Sequence, residues 1–243
     1  MDALTLSTIV LGLFLSGIVK GATGLGYASC ALPFLVLTVG LKNGMALVLA
    51  PAVATNITLV LTTGHLGEIA KDYSRLYASM LPGIVAGAYG LQFVDVSIAT
   101  KVLGIVVLWY AAWTLWKPDF MLAPRLWKPL QMPTGFLNGV ITGLTGSQVV
   151  PLVPYVLAMR LDPDRTVQIV NIGVLVATAF LALTLAVTGI LTSQLAMGSV
   201  AAIVPAMLGV AIGVWLRQLI SVSQFRFAVL ITLFGIGFVM VLK

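Results

Sequence analysis

The chain has 243 residues, of which 60% are hydrophobic and 8% are charged, and its mean hydropathy is +1.12. Soluble domains carry about a quarter charged residues, so this composition excludes an ordinary soluble protein and predicts an integral membrane protein. The single cysteine excludes a disulfide framework, and the net charge of +6 comes from basic residues scattered between apolar runs, which favours membrane orientation over nucleic-acid binding.

Ten apolar elements follow one another along the chain, measured against the roughly 20 apolar residues that a spanning helix needs. They cover residues 3–20, 27–40, 44–63, 73–94, 98–116, 133–145, 149–160, 167–189, 194–216 and 224–242. The first and second elements are short, as are the sixth and seventh, and glycine-rich breaks separate the members of each pair. The pattern predicts an all-α membrane protein with about eight to ten transmembrane segments, in which the short elements are re-entrant or discontinuous.

The same motifs recur in both halves of the chain and in the same order. The matches are residues 14–24 with 136–146, Leu32-Pro33-Phe34 with Val153-Pro154-Tyr155, Pro82 with Pro205, the glycine pair Gly87 and Gly90 with Gly209 and Gly213, and Val96-Ser97 with Val222-Ser223. This duplication predicts two repeats, residues 1–117 and 133–243, joined by a polar, proline-bearing connector at 118–132. Each repeat has five elements, so the second repeat is expected to be inverted relative to the first.

The basic residues predict which side of the membrane each loop faces. If the connector is cytoplasmic, nine basic residues lie inside and three lie outside, as the positive-inside rule expects. The inside set is Lys71, Arg75, Lys117, Arg125, Lys128, Arg160, Arg165, Arg217 and Arg226, and the outside set is Lys42, Lys101 and Lys243. Both termini are then expected on the periplasmic side of a bacterial inner membrane.

The two glycine-rich breaks, at residues 20–26 and 142–148, form the candidate substrate site. Within a membrane, irregular backbone is tolerated only where it lines a cavity or is buried in protein. A half-helix that begins after such a break presents free amides and its positive dipole end, which suits an anion. The sequence therefore predicts an anion held by the backbone amides of Gly24, Gly26, Gly146 and Ser147.

Side chains in and near the breaks complete this candidate site. The full set of predicted substrate-binding residues is Lys20, Gly21, Thr23, Gly24, Gly26, Tyr27, Asn56, Gly143, Thr145, Gly146, Ser147, Gln148 and Asn171. Alternatives stay open for several of them. Closely spaced glycines also pack helices together, Lys20 can extend to a membrane surface, and Asn56 and Asn171 can hydrogen-bond between helices.

The acidic residues and the single histidine disfavour other kinds of function. All seven acidic residues fall at termini, in loops or at helix ends: Asp2, Glu68, Asp72, Asp95, Asp119, Asp162 and Asp164. A proton relay through paired acids, a cation site and an intramembrane aspartyl protease are therefore disfavoured. Because His65 lies in a loop, no Ser–His or Cys–His pair is expected inside the membrane, and we expect no enzyme activity, no metal and no cofactor.

In its duplicated glycine-rich stretches and proline motifs, the chain resembles the TauE/SafE family of membrane permeases, often described as sulfite exporters. The resemblance rests on the duplicated glycine-rich stretch with its Leu-Pro-Phe or Val-Pro-Tyr sequel, on residues 161–165 (Leu-Asp-Pro-Asp-Arg), and on Pro82-Gly83 with its partner near Pro205. It covers essentially the full length and implies export of small oxyanions or sulfonates. The chain departs from the family pattern at residues 146–150 (Gly-Ser-Gln-Val-Val) and at 42–44 (Lys-Asn-Gly).

The leading hypothesis is a bacterial inner-membrane transporter that exports sulfite or an organosulfonate such as sulfoacetate. Alternating access would arise from rocking of one repeat against the other. The alternatives are an importer or exchanger of another small anion, such as a carboxylate, and a noncatalytic membrane scaffold subunit. The expected partners are the anion, the lipid bilayer and a second copy of the chain in a homodimer.

Overall fold

Helices dominate the computed structural model, which describes residues 3–116, 120–219 and 222–242. Within these ranges there are twelve helices. They are α1 (Ala3–Thr23), α2 (Tyr27–Val39), α3 (Leu41–Thr63), α4 (Leu66–Asp72), α5 (Ser74–Phe93), α6 (Val96–Trp116), α7 (Pro124–Thr145), α8 (Leu152–Ala158), α9 (Pro163–Val187), α10 (Ser193–Ala201), α11 (Ile203–Leu216) and α12 (Val222–Leu242). The all-α prediction is confirmed. Asp2, Lys117, Asp119 and Lys243 lie outside the described residues.

Five stretches of the described chain are long and apolar enough to cross a membrane. They are Ala3–Thr23, Leu41–Thr62, Val96–Trp116, Pro163–Val187 and Ser193–Leu216. These stretches support a membrane-embedded protein, because each matches the thickness of the hydrocarbon core. The larger number of spans expected from the sequence stays a prediction.

Both glycine-rich breaks interrupt a helix. Helix α1 ends just before Gly24, and Gly24 and Gly26 have φ angles of 76° and 84°. Helix α7 ends just before Gly146, whose φ angle is 78°. Residues with a side chain rarely adopt this left-handed backbone, so glycine allows the chain to leave the helix at these points.

The connector is shorter than predicted, because α7 begins at Pro124 and not at residue 133. Proline suits the first helical position, since its φ angle matches the helix and its missing amide would be unbonded there in any case. Pro129 and Pro133 also lie inside α7. The proline-bearing segment that reads as a linker in the sequence therefore forms the first turns of a helix.

Two other regions differ in detail from the prediction. Helix α4 occupies a segment expected to be a loop, and Arg165 at the start of α9 donates to Glu68 of α4 at 2.8 Å. The predicted element at 194–216 is two helices, which meet at Ala202. The start of α9 follows the motif at 161–165, because the Asp162 carboxylate caps the helix by accepting the Asp164 amide at 2.9 Å.

The helices pack in two clusters, and each cluster combines both halves of the chain. The first cluster contains α1, α2, α3, α10 and α11, and the second contains α4, α5, α7, α8 and α9. Helix α3 packs against α9 where the clusters meet, and α6 packs against α12 beside them. Helices matched by the duplication, such as α1 and α7, take corresponding places in the two clusters. The inversion of one repeat relative to the other stays a prediction.

Glycines bring the main helix pair of each cluster into backbone contact. In the first cluster, a Cβ on Gly21 of α1 would lie 2.2 Å from the Val210 carbonyl oxygen of α11. In the second, a Cβ on Gly143 of α7 would lie 2.2 Å from the Ile84 carbonyl oxygen of α5. No side chain fits at such a separation, so both positions serve helix packing. Gly21 and Gly143 therefore lie at these helix contacts, and their part in the substrate site stays a prediction.

The same contacts correct the alignment of the repeats on α5. The glycines of α5 that meet α7 are Gly83 and Gly87, whereas a Cβ on Gly90 would meet nothing within 4 Å. On α11, Gly209 and Gly213 make the matching contacts with α1. Gly83 and Gly87 therefore correspond to Gly209 and Gly213. This match shifts α5 by about one helical turn relative to the alignment based on the two prolines.

A serine from the second half completes the backbone hydrogen bonds of α3. Pro51 inside α3 has no amide to donate, which leaves the Leu47 carbonyl without its helical partner. Ser199 of α10 donates to that carbonyl at 3.1 Å, and its oxygen accepts the amide of the residue before Pro51 at 2.9 Å. At the matching place in α9, the Ile169 carbonyl accepts the Tyr77 hydroxyl at 3.1 Å. Hydroxyls thus join α3 and α9 to helices of the opposite half.

Candidate anion-binding site

A small cavity of about 20 Å³ lies between the two clusters. In the first cluster, wall residues come from α1, the first break, the start of α2 and α3. In the second cluster, they come from the second break, α8 and α9. Helix α6 adds one residue. The lining consists of Lys20, Leu25, Gly26, Tyr27, Ala28, Ser29, Asn56, Tyr110, Gln148, Val149, Val153, Val170, Asn171 and Val174. The cavity is therefore bounded by both breaks.

Lys20 is the charged group of the cavity wall, and it is only 3% exposed. Its ammonium donates to Asn56 Oδ1 at 2.8 Å and to Asn171 Oδ1. Each asparagine nitrogen donates at 2.6 Å to a carbonyl one turn earlier in its own helix, that of Ala52 or Val167. The two side-chain oxygens are thereby left to the lysine. Since Lys20 is buried, it does not extend to a membrane surface.

The hydrogen bond between Lys20 and Asn171 crosses from the first cluster to the second. Asn171 of α9 also donates to the Gly24 carbonyl of the first break, at 3.3 Å. Asn56, in contrast, belongs to α3 of the first cluster. The sequence left two roles open for Asn56 and Asn171, hydrogen bonding between helices and contact with substrate. In the structure both residues bond to another helix and also lie on the cavity wall.

The acidic residues within the described ranges give Lys20 no counter-charge. They are all exposed: Glu68, Asp72, Asp95, Asp162 and Asp164. The ion pairs of the described chain involve Glu68 and Asp162 and not Lys20. A buried charge is costly unless an opposite charge lies beside it. The cavity is therefore suited to a small anion, whereas no group of three metal-ligating side chains occurs in the same ranges.

The beginning of α2 adds amide donors to the same wall. The first amide bonded in the helical pattern is that of Cys30, which donates to the Gly26 carbonyl at 3.1 Å. The preceding amides, of Tyr27, Ala28 and Ser29, have no acceptor among the residues that the structure describes. All three residues line the cavity. Because α2 is 13 residues long, its positive dipole end also favours an anion there.

Most of the amides predicted to hold the anion are already bonded within the breaks. The Gly24 amide donates to the Lys20 carbonyl at 2.8 Å, and the Gly146 amide donates to the Thr142 carbonyl at 2.7 Å. The Ser147 amide donates to a threonine hydroxyl in its own break at 3.2 Å. The first two bonds give partners to carbonyls at the ends of α1 and α7, where the last four carbonyl groups of a helix have no helical partner.

Thr23 and Thr145 form equivalent caps in the two breaks. Each hydroxyl donates to the carbonyl four residues earlier, at 2.8 Å for Thr23 and 2.7 Å for Thr145. Each hydroxyl oxygen also accepts an amide two residues later, that of Leu25 at 3.3 Å or Ser147 at 3.2 Å. The repeated Thr-Gly pair therefore ends a helix in both halves.

The structure divides the predicted substrate-binding residues into two groups. Those on the cavity wall are Lys20, Gly26, Tyr27, Asn56, Gln148 and Asn171. Those away from it are Gly21, Thr23, Gly24, Gly143, Thr145, Gly146 and Ser147. In the second group, the glycines allow close helix contacts or left-handed turns. The hydroxyls form hydrogen bonds with backbone groups around the breaks.

Gln148 is a fixed part of the wall. It is 2% exposed, and its side-chain nitrogen donates to the Thr178 hydroxyl of α9 at 2.8 Å. Asn138 of α7 donates to the Gln148 carbonyl at 3.0 Å and to the Val150 carbonyl at 3.1 Å. Neither Thr178 nor Asn138 was predicted from the sequence. Asn138 matches Ser16 of the first repeat. A polar residue at the same position in both repeats was the sequence feature that could have pointed to a structural role for Asn138.

The apolar part of the wall was also missed. Four valines and a tyrosine contribute to it: Val149, Val153, Val170, Val174 and Tyr110. In a sequence this apolar throughout, nothing separates a valine on a cavity from a valine that faces lipid.

A family model described as "Sulfite exporter TauE/SafE" matches residues 9–240 of the chain. No curated protein and no solved structure matches it. The family match extends over both clusters and includes every residue of the cavity wall.

Proposed function

The chain belongs to the TauE/SafE sulfite exporter family of membrane transporters, and from that premise we propose that it exports sulfite or a small organosulfonate across the bacterial inner membrane. The family implies an anion transporter of the sulfite export type, and transporters of this kind are not enzymes. The identity of the anion, its direction of movement and the periplasmic position of both termini are parts of the proposal.

The observation that carries the proposal is the buried Lys20, whose described neighbours include no carboxylate. Its ammonium lies on a cavity wall with two asparagine oxygens and the free amides at the start of α2. In our proposal the anion binds here and supplies the missing counter-charge. The side-chain and backbone donors around it replace the water that the anion loses, as binding in a dry site requires.

The membrane potential is sufficient to drive export of a monoanion. An inside-negative potential favours outward movement by about 2.3 kcal/mol per elementary charge for every 100 mV. The described acidic residues are exposed, so the proposal includes no proton relay through carboxylates.

Alternating access, in this proposal, moves one cluster relative to the other. This differs from rocking of sequence repeats, because the glycine contacts of Gly21 and Gly143 join helices from both halves. The cavity lies between the clusters, and the bond from Lys20 to Asn171 connects them. An anion that draws the Lys20 ammonium away from Asn171 would couple binding to separation of the clusters.

A flux assay on the full chain in proteoliposomes tests the substrate class. Sulfite, sulfoacetate, taurine and acetate are each followed with and without an imposed potential. We expect flux of sulfite or sulfoacetate that rises when the potential favours outward movement. Flux of acetate without flux of any sulfur oxyanion would show a carboxylate transporter, and no flux of any solute would favour the scaffold alternative.

The Lys20→Met variant tests the proposed site. We expect sulfite flux to fall about a hundredfold, because hydrogen bonds to a charged group are worth up to about 3 kcal/mol. Lys101→Met is the matched control, since Lys101 is exposed on α6, and its flux should equal that of the wild type. A Lys20→Met protein with wild-type flux would exclude this site.

Asn171→Asp tests the same site in the opposite way, by adding a carboxylate next to Lys20. The new internal ion pair should compete with the substrate and raise the KM for sulfite about tenfold, as for a coupling of about 1.4 kcal/mol. A KM equal to that of the wild type would show that Lys20 does not contact the anion.

A further inference from the structure

Tyr27 has a hydroxyl that the described part of the protein does not use. The residue lines the cavity and is 2% exposed. Its hydroxyl is closed to solvent and has no hydrogen-bond partner among the described residues. Burying a hydroxyl without a partner destabilises a protein, so such a group requires an explanation.

Three other buried side-chain atoms lack a partner in the described chain, on Thr114, Asn138 and Gln168. None of these residues lines the cavity. Asn138 and Gln168 each use their side-chain nitrogen in a hydrogen bond to a backbone carbonyl. Tyr27 differs from them because it belongs to the cavity wall and the hydroxyl is its only polar side-chain atom.

The surroundings of Tyr27 indicate what its hydroxyl would bind. The same wall carries the Lys20 ammonium and the free amides of Tyr27 itself, Ala28 and Ser29. The amide oxygens of the wall, on Asn56, Asn171 and Gln148, already accept hydrogen bonds from Lys20 or Thr178. The Tyr27 hydroxyl therefore has no partner until a ligand brings one. Lys20 can neutralise the charge of any anion. To form its own hydrogen bond, the neutral Tyr27 hydroxyl requires a further acceptor atom on that anion.

We infer that Tyr27 is a specificity-determining residue whose hydroxyl donates to an oxygen of the transported oxyanion. The inference rests on the proposed function. An oxyanion offers several oxygens, so it can meet Lys20 and Tyr27 together. A monatomic halide offers one acceptor centre and gains less from the tyrosine.

The backbone before Tyr27 allows the wall to adjust when the anion enters. Since the hydroxyl is closed to solvent, binding includes a shift of the first turn of α2. Gly26 precedes that turn with a φ angle of 84°, and a Cβ on it would meet nothing within 4 Å. The glycine therefore leaves space at the point where the turn joins the break.

Removal of the hydroxyl should change stability and binding in opposite directions. In Tyr27→Phe the empty protein no longer buries an unpaired hydroxyl, so its thermal midpoint should rise. The same variant should bind sulfite about tenfold more weakly, as for the loss of one hydrogen bond to a charged acceptor. A residue with only a packing role would not combine these two effects.

Thermal unfolding of the purified full chain measures both effects. The wild type, Tyr27→Phe and Tyr77→Phe are compared in sodium sulfite and in sodium chloride at equal ionic strength. We expect sulfite to raise the midpoint of the wild type more than chloride does, and this difference to vanish in Tyr27→Phe. Tyr77→Phe is the matched control: its hydroxyl donates to the Ile169 carbonyl at 3.1 Å, so the midpoint should fall while the sulfite effect persists.

The outcomes separate this inference from the proposed function. If the wild type transports sulfite but Tyr27→Phe keeps the full sulfite effect, or is no more stable when empty, the role of Tyr27 is overturned and the proposed function stands. Failure of Tyr27→Phe to fold also counts against the inference, since we expect a more stable protein. A wild type with neither sulfite flux nor a sulfite effect overturns both.

Discussion

The two glycine-rich breaks begin alike and then differ in what they do. In each, a Thr-Gly pair ends a helix, with Thr23 and Gly24 in the first and Thr145 and Gly146 in the second. Beyond the caps, the first break leads directly to the 13-residue α2, whose first amides are free on the cavity wall. The second break continues to the 7-residue α8, and side chains of its own half hold its backbone.

The position of Lys20 shows the same difference. It matches Thr142 in the second repeat. Lys20 reaches across to Asn171, whereas the Thr142 hydroxyl donates to the Ser147 carbonyl within its own break at 3.1 Å. The duplicated sequence thus supplies two similar scaffolds, and a few substitutions concentrate the groups suited to an anion in the first of them.

The largest expected effects test the scaffold that the halves share. Gly21→Leu and Gly143→Leu should each lower the free energy of unfolding by about 3 kcal/mol, because the new side chain would overlap a facing carbonyl. The thermal midpoint and the monodisperse fraction in detergent measure the loss. Gly90→Ala is the control and should be neutral or slightly stabilising, since a Cβ there has open space. Tolerance of one leucine and not the other would break the equivalence of the clusters.

A smaller effect is expected where the two breaks differ. Gln148 stands at the position that matches Gly26, so its side chain fills part of the wall that a glycine would leave open. We expect Gln148→Gly to raise the flux of sulfoacetate relative to sulfite about tenfold, in the range by which pockets discriminate one or two extra groups. Thr178→Val is the control, because it removes the hydrogen bond to Gln148 without removing the side chain. An unchanged flux ratio in Gln148→Gly would show that this residue does not set the size limit.

The smallest effects concern the matched caps. Thr23→Val and Thr145→Val should each cost about 1 kcal/mol of stability, the usual value of one hydrogen bond. Their effects should be equal within error in thermal unfolding, and the KM for sulfite should stay at the wild-type value, because neither threonine lines the cavity. A KM that rises in one variant only would restore that threonine to the substrate site.

Local sequence signals predicted the interruptions well. Gly24 and Gly146 mark helix ends because their left-handed backbone requires glycine. These features depend on a few neighbouring residues, which a sequence shows directly. The start of α9 was placed at residue 167, four residues after Pro163, where the helix begins.

The composition of the site was harder to predict, because it depends on contacts between distant parts of the chain. Lys20 meets Asn171, which is 151 residues away, and Asn138 holds a carbonyl of the second break. The sequence left the roles of Gly21 and Gly143 open for the same reason. A glycine near a break reads the same in the sequence whether it faces a ligand or a neighbouring helix, and only the position of the facing helix decides.

The glycine contacts have a consequence for the ancestry of the protein. Each joins a helix of one half to a helix of the other, so a polypeptide with a single half would present two bare grooves to lipid. An unduplicated ancestor would therefore have been stable only as a pair of identical chains. Fusion of the two genes would allow each copy to diverge, as at the position where one half has Lys20 and the other has Thr142.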